Sequence, residues 1–358
     1  MRLTNTLLLF LFGFLLAAPT LKASEKEADN DAPFNPKPMI MHHISDSHEW
    51  HLWDVEGDDG EITAYSIPLP VILYHDGNVD VFLSSAFDHG KKNVTKSGVE
   101  FTMYHGKIYF ANEISGIDIN DKGEVLNDKP IDLSITKNVF MMLVSAVLLF
   151  VLFGSAGKSY GKKVSVPRGL TSFLEPLVIF VRDDIARPII GEGKYERFMP
   201  FLLTAFFFIW INNLLGLVPF FPGGANVTGN IAVTLVLATF TFILTNVNGN
   251  KHYWRHIFAM PGVPIYVLPI MIIVELVGLI VKPVALMIRL FANITAGHII
   301  ILSLISLIFI FETLLISPVS IAFGLFMNVL ELLVAALQAY IFTLLSALFI
   351  GGAVAEEH

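Results

Sequence analysis

Two stretches toward the C-terminal end, residues 269–311 and 319–350, are almost unbroken apolar runs, and each is too long for an ordinary membrane crossing. A helix over the first would measure about 64 Å at 1.5 Å per residue. The hydrocarbon core of a bilayer is about 30 Å thick. Such a helix must lie strongly tilted or break, with Pro283 as the place for a bend. Three shorter apolar runs precede the pair, over 139–153, 198–221 and 231–247. Of the whole chain, 54% is hydrophobic and only 15% charged, where a soluble domain carries roughly 25% charged residues. The expectation is an all-α polytopic membrane protein of about five membrane helices, the last two forming a long, strongly tilted hairpin. There is no cysteine, which removes disulfides, thiolate metal sites and thiol nucleophiles.

The beginning of the chain differs. Met1-Arg2, an apolar core over 7–16 and a less apolar stretch to Ala23 follow the order of a secretory signal peptide, so residues 1–23 are read as one. Residues 24–137 are polar and acidic and hold most of the 31 Asp and Glu. They form an extracytoplasmic module whose negative charge argues against nucleic-acid partners. Within it, short β-branched and aromatic runs flank Asp76-Gly77-Asn78 and His105-Gly106-Lys107, which predicts a small antiparallel β-rich unit. Pro68 and Pro70 place one run at an edge. His42, His43, His48 and His51, with Asp46 and Asp54, match no metal-ligand spacing and read as a solvated loop, with no metal site.

Residues 138–358 are the membrane domain. The segment 170–190 alternates apolar residues with Glu175, Arg182, Asp183, Asp184 and Arg187, the pattern of an interfacial amphipathic helix. With the module outside, the inside loop 158–197 carries eight Lys and Arg and the next inside loop carries Lys251 and Arg255. The outside loops near 220–229 and 312–317 carry none. Signal peptide and loop charge thus give the same orientation, with Glu356-Glu357-His358 in the cytoplasm.

The long apolar runs contain Glu275, Lys282, Arg289, Asn293, His298, Glu331 and Gln338. A charge at membrane depth costs at least about 2.5–3.5 kcal/mol, so each of these needs a partner, water or a function. For Glu275 and Lys282 a bland reading, snorkelling or a structural ion pair, stands level with a channel role. Arg289 is harder to explain away, because it lies near the middle of its run and its guanidinium cannot deprotonate. In steps of seven, Glu275, Lys282 and Arg289 share one helical stripe, and Asn293 continues it at i+4. In a hairpin turning near residue 314, His298 meets Glu331 and Arg289 lies level with Gln338. The nine residues between Arg289 and His298 rotate a helix by about 900°, which points the two side chains to opposite faces. Imidazole and carboxylate titrate nearest neutral pH and can hand on a proton.

The run Lys282-Pro-Val-Ala-Leu-Met-Ile-Arg289-Leu-Phe-Ala-Asn293-Ile-Thr-Ala-Gly297-His298 closely resembles the signature helix of the ATP synthase subunit a family. So does Glu331-Leu-Leu-Val-Ala-Ala-Leu-Gln338-Ala-Tyr-Ile-Phe, and so does the Glu-Glu-His ending. The resemblance implies the membrane stator and ion-channel subunit of a rotary F-type ATP synthase. Arg289 would face the carboxylates of the c-subunit ring and block leakage between two offset half-channels. His298, Asn293, Glu331 and Gln338 would line the outer half-channel, with Asn213 a further channel position. It implies a bacterial inner-membrane protein working with the c-ring, the subunit b stator and the remaining ATP synthase subunits. No cofactor is expected, and no catalytic chemistry on this chain, which has no Walker A pattern. The alternative is a self-contained secondary transporter with the module as a solute-binding domain, which would call for two related halves. The coupled ion is most simply a proton.

Overall fold

The computed structural model describes residues 35–56, 62–112, 116–120, 124–160, 169–218, 221, 223–260, 263–311 and 313–355. The proposed signal peptide, residues 161–168 of the basic 158–197 loop, Glu312 and the Glu-Glu-His ending lie outside these residues.

The N-terminal part begins with a helix, α1 (Lys37–Ile44), followed by strands β1 (Glu49–Glu56), β2 (Ile62–Pro68), β3 (Pro70–His75), β4 (Asn78–Leu83), β5 (Val94–Lys96), β6 (Val99–Tyr104), β7 (Lys107–Phe110) and β8 (Ile131–Asp132). These make three small antiparallel sheets, ordered β1-β2, β4-β3-β8 and β5-β6-β7. Three of the hairpins turn through two residues, Asp76-Gly77, Ser97-Gly98 and His105-Gly106. All six residues have φ between 45° and 85°, which matches the right-handed strand twist and is cheapest when the second residue is glycine. Val71, Leu73, Phe87, Val94, Phe101 and Ile108 close a common core under two of the sheets.

Two readings of this region need correction. The apolar run 67–74 is split at buried Leu69 into β2 and β3, and β3 is the central strand of its sheet, not an edge. Pro70 is tolerated because it opens the strand. The histidine group is no solvated loop either. His42 and His43 lie on α1, and His48 is buried, its Nδ1 3.0 Å from Gly106 O and its Nε2 2.7 Å from Asp132 Oδ2.

The membrane part is helical. Its elements are α2 (Lys137–Tyr160), α3 (Leu170–Phe180), a π-helical stretch (Val181–Ala186), α4 (Arg187–Ile190), α5 (Tyr195–Gly216), α6 (Ile231–Val247), α7 (Lys251–Phe258), α8 (Leu268–Ile310) and α9 (Ser317–Val354). Among the described residues, four helices are long and apolar enough to cross a membrane, and the pair α6–α7, bent by 100°, makes a fifth candidate. Helix α8 is unbroken over 43 residues and runs through Pro283. It packs antiparallel beside the 38-residue α9. Leu143, Val147, Phe150 and Val151 stay exposed along α2, as expected where lipid is the solvent.

The segment 170–190 is helical as the pattern demands, but its apolar face is a packed one. Leu174, Val181, Ile185, Ala186 and Ile190 join the main core with α5, α8 and α9. Its charges pair locally, with Arg182 bidentate to Asp183 at 2.8 and 2.9 Å and Arg187 3.2 Å from the same carboxylate. Polar contacts join helices elsewhere, as in Asn212 Nδ2 to Ser145 Oγ at 3.0 Å and Thr241 Oγ1 to Ser346 Oγ at 3.1 Å. Such bonds average about 0.6 kcal/mol in membrane proteins, so they fix register more than they add stability.

Candidate functional site

Helix α8 sorts its residues by face. Leu286, Leu290 and Ile294, four apart, are buried, and the same row continues to His298. Arg289 and Asn293 lie on the exposed face. Arg289 and His298 therefore point to opposite sides, and the guanidinium forms no hydrogen bond or ion pair among the described residues. On α9 the buried row is Glu331, Ala335, Gln338, Ala339 and Phe342.

The hairpin brings His298 and Glu331 together, Nε2 to Oε1 at 3.7 Å, with the two side chains 13% and 4% exposed. That separation suits an ion pair but exceeds a hydrogen bond. Both carboxylate oxygens of Glu331 are buried without a hydrogen-bond partner. A buried carboxylate in this condition needs a proton, a bridging water or a mobile cation. Gln338, two turns further on the same row, is buried as well.

Around this pair sits a polar layer that the charge pattern alone did not reveal. A Cβ at Gly297 would stand 2.7 Å from Glu331 Oε1, so only glycine leaves the carboxylate in place. A Cβ at Gly216 would stand 3.2 Å from Ala225 O and 3.9 Å from His298 Nε2. The loop before α6 folds inward. Thr228 donates to Asn213 Oδ1, Asn213 Nδ2 donates to Ala335 O at 3.3 Å, and Thr295 Oγ1 donates to Gly229 O at 3.4 Å. Asn226 is buried with its Oδ1 unpartnered. The cluster Asn226-Val-Thr-Gly-Asn230 looks in sequence like an ordinary turn, and nothing in its composition marks it as interior.

The remaining polar residues of α8 lie elsewhere. Glu275 approaches His256 Nδ1 at 3.8 Å, and Lys282 Nζ lies 5.9 Å from the Phe349 ring centroid. Both line a cavity of about 360 Å³ with His252, Tyr253, His256 and Asn246, between α6, α7, α8 and α9. Along the helix, Glu275 lies about 21 Å before Arg289, and His298 about 14 Å after it. Asn293 keeps company with Arg289 on the exposed face and not with His298.

Residues 139–351 match the family model described as ATP synthase A chain. The chain belongs to that family. The family segment covers α2 to α9 and hence every site residue named above. Residues 39–133 match a second model, a domain of unknown function (DUF8433). Among curated proteins, the chain is 52% identical over 233 residues to ATP synthase subunit a of Chloroherpeton thalassium, covering 63% of this chain and 68% of that one. It is 49% identical over 235 residues to ATP synthase subunit a of Pelodictyon phaeoclathratiforme, covering 63% and 67%. A similar match, 49% over 236 residues, is to ATP synthase subunit a of Chlorobium phaeobacteroides, covering 63% and 68%. The family is one of membrane subunits of ATP synthase, in keeping with the apolar helices.

Proposed function

We propose that this chain is the ion-channel stator subunit of a rotary F-type ATP synthase in the inner cell membrane, with a proton as the coupled ion. One observation carries the reading: an unpartnered arginine on the exposed face of α8 has a separate polar site to either side of it along the same helix. Two polar sites offset along one membrane helix are what two half-channels need. The His298–Glu331 site belongs to the outer path, with Gln338 and Asn213 beside it, and the Glu275–Lys282 cavity belongs to the inner one. A continuous chain of titratable groups would short-circuit the gradient. Arg289 prevents this, since its guanidinium cannot release a proton. Its fixed charge also favours an ionised carboxylate on a passing c-subunit. Glu331, buried and unbonded, accepts a proton handed on by His298 and passes it toward the rotor.

In this reading residues 1–23 direct secretion, 24–137 lie outside and 138–358 form the membrane domain, with the C-terminus in the cytoplasm. The hairpin is strongly tilted, because 43 helical residues exceed the bilayer core about twofold. The c-ring, subunit b and the soluble ATPase subunits are its partners. The family match favours this over a secondary transporter. The decisive variant is Arg289→Ala in complexes reconstituted into vesicles. Ion-driven ATP synthesis should be abolished while passive proton leak persists or rises. A normal synthesis rate would end the proposal.

A further inference from the structure

The N-terminal module does not hang free of the membrane helices. The first backbone donors of α2, which lack partners inside their own helix, are met from the module. The Lys137 N–H donates to Ser47 O at 2.9 Å, and the Asn138 N–H to Asp46 Oδ1 at 3.0 Å. Helix α1 packs against α8. These contacts bring β1 against the membrane helices, and the side chain it delivers there is Trp50. The indole meets Phe140 of α2 and Phe221 edge-on, with ring centroids 5.8 and 5.4 Å away. With Met141, Ala225 and Val227 it closes a small core in which none of the four is more than 4% exposed.

Ala225 and Val227 belong to the loop that also walls the His298–Glu331 site. Their neighbour Thr228 donates to Asn213 Oδ1, and Asn213 Nδ2 donates to Ala335 O at 3.3 Å, one turn from Glu331 on α9. Thr295 of α8 holds the far end of the loop at Gly229 O, 3.4 Å away. The space left open by Gly216 is bordered by both parties: a Cβ there would lie 3.2 Å from Ala225 O and 3.9 Å from His298 Nε2. The loop is therefore a single layer of chain between the module and the site. Residues 223–226 form no helix or strand, so side-chain packing has a large share in fixing their path. A buried tryptophan supplies more contact area for that purpose than any other side chain.

We propose that Trp50 is a positioning residue for the outer proton path: through it the module, a domain of unknown function, seats the 223–230 loop and so holds the wall of the His298–Glu331 site. This rests on the channel reading above. Trp50 neither takes nor gives the travelling proton. It keeps the loop pressed inward, and with it the exclusion of bulk water from Glu331. With the indole removed the loop is free to draw back. Water admitted beside Glu331 then competes for the proton, and a higher outer proton concentration is needed to load the site.

The test uses whole complexes in vesicles at a constant total driving force, set by an imposed membrane potential. ATP synthesis is measured against outer pH at fixed inner pH, and then against inner pH at fixed outer pH. Trp50→Ala should raise several-fold the outer proton concentration that gives half-maximal synthesis, while the inner profile stays that of the parent. Trp50→Phe, which keeps a ring against Phe140 and Phe221, should recover most of the shift. Val227→Ala loosens the same contact from the loop side and should move the outer profile in the same sense, which covers a failure of Trp50→Ala to assemble. An outer profile unchanged in assembled complexes overturns the proposal. So does a uniform loss of rate with both profiles unmoved, or a shift of both alike, since either marks a general loss of structure. Arg289→Ala measured alongside separates the two ideas. Normal synthesis in that variant ends the channel reading and this proposal with it. Abolished synthesis there, with the outer profile of Trp50→Ala unmoved, leaves the channel standing and denies the module this part in it.

Discussion

At the scale of single residues, the charged members of the site were legible because they contradict their surroundings. Arg289, His298 and Glu331 sit in runs that would otherwise be lipid-soluble, and helical periodicity alone put the first two on opposite faces. Gly297 was invisible for the opposite reason, since its contribution is an absence of atoms. A methyl group there would meet Glu331 Oε1 at 2.7 Å, and the carboxylate, the free end of its side chain, would have to shift. Gly297→Ala should therefore leave the fold stable and slow ion-driven synthesis by displacing the carboxylate. Glu331→Asp, which withdraws the carboxylate by one methylene, should recover part of the loss in the double variant. Synthesis rates of the four forms in vesicles give the coupling, and purely additive losses would separate the glycine from the carboxylate. Asn226 and Thr228 escaped notice because a buried turn and an exposed turn have the same composition. Only their depth in the fold distinguishes them.

Among the elements, the long hairpin was the most predictable feature and the module's attachment the least. The hairpin follows from length and polarity, and a turn near residue 314 sufficed to pair His298 with Glu331. The attachment depends on side chains far apart in sequence, such as Trp50 beside Phe140 and Phe221. Within the module, His48 meets Asp132 in the same way, and no local pattern relates either set. Burial raises the Asp132 pKa, but the hydrogen bonds from His48 and Ser134 outweigh it and hold the carboxyl below its ordinary value of 3.8. A depressed carboxyl stabilises the fold fully above that ordinary value, and the contribution disappears as pH falls through the folded-state value. Protection factors for hydrogen exchange across β3 and β8, which correct for the intrinsic slowing of exchange in acid, should thus fall on acidification below about pH 4. In Asp132→Asn exchange should be faster already at neutral pH and should depend less on acid. Equal acid sensitivity in the two forms would show that another carboxylate governs the unfolding.

For the molecule as a whole, every prediction about direction of flow depends on which end faces out. The absence of cysteine makes this measurable on a clean background. Lys107 on β7 and Lys251 at the start of α7 are both exposed, one in the module and one on the bent segment beside the Glu275–Lys282 cavity. Lys107→Cys should react with a membrane-impermeant thiol reagent added to intact cells. Lys251→Cys should react only after the membrane is opened. The reverse pattern would invert the proposed orientation of the subunit.

The unpartnered guanidinium of Arg289 also bears on the life of the subunit before it is assembled. A lone arginine on an apolar wall costs at least about 2.5–3.5 kcal/mol in a bilayer, and no group within the described chain offsets it. The newly inserted subunit should therefore be an orphan that the cell's membrane-bound proteases can recognise, and a rotor covering that wall would hide the mark. Pulse-chase labelling should give the chain a short half-life when the c-subunits are withheld and a long one when they are supplied. In Arg289→Leu the difference should shrink, because the signal for disposal is then gone from the surface.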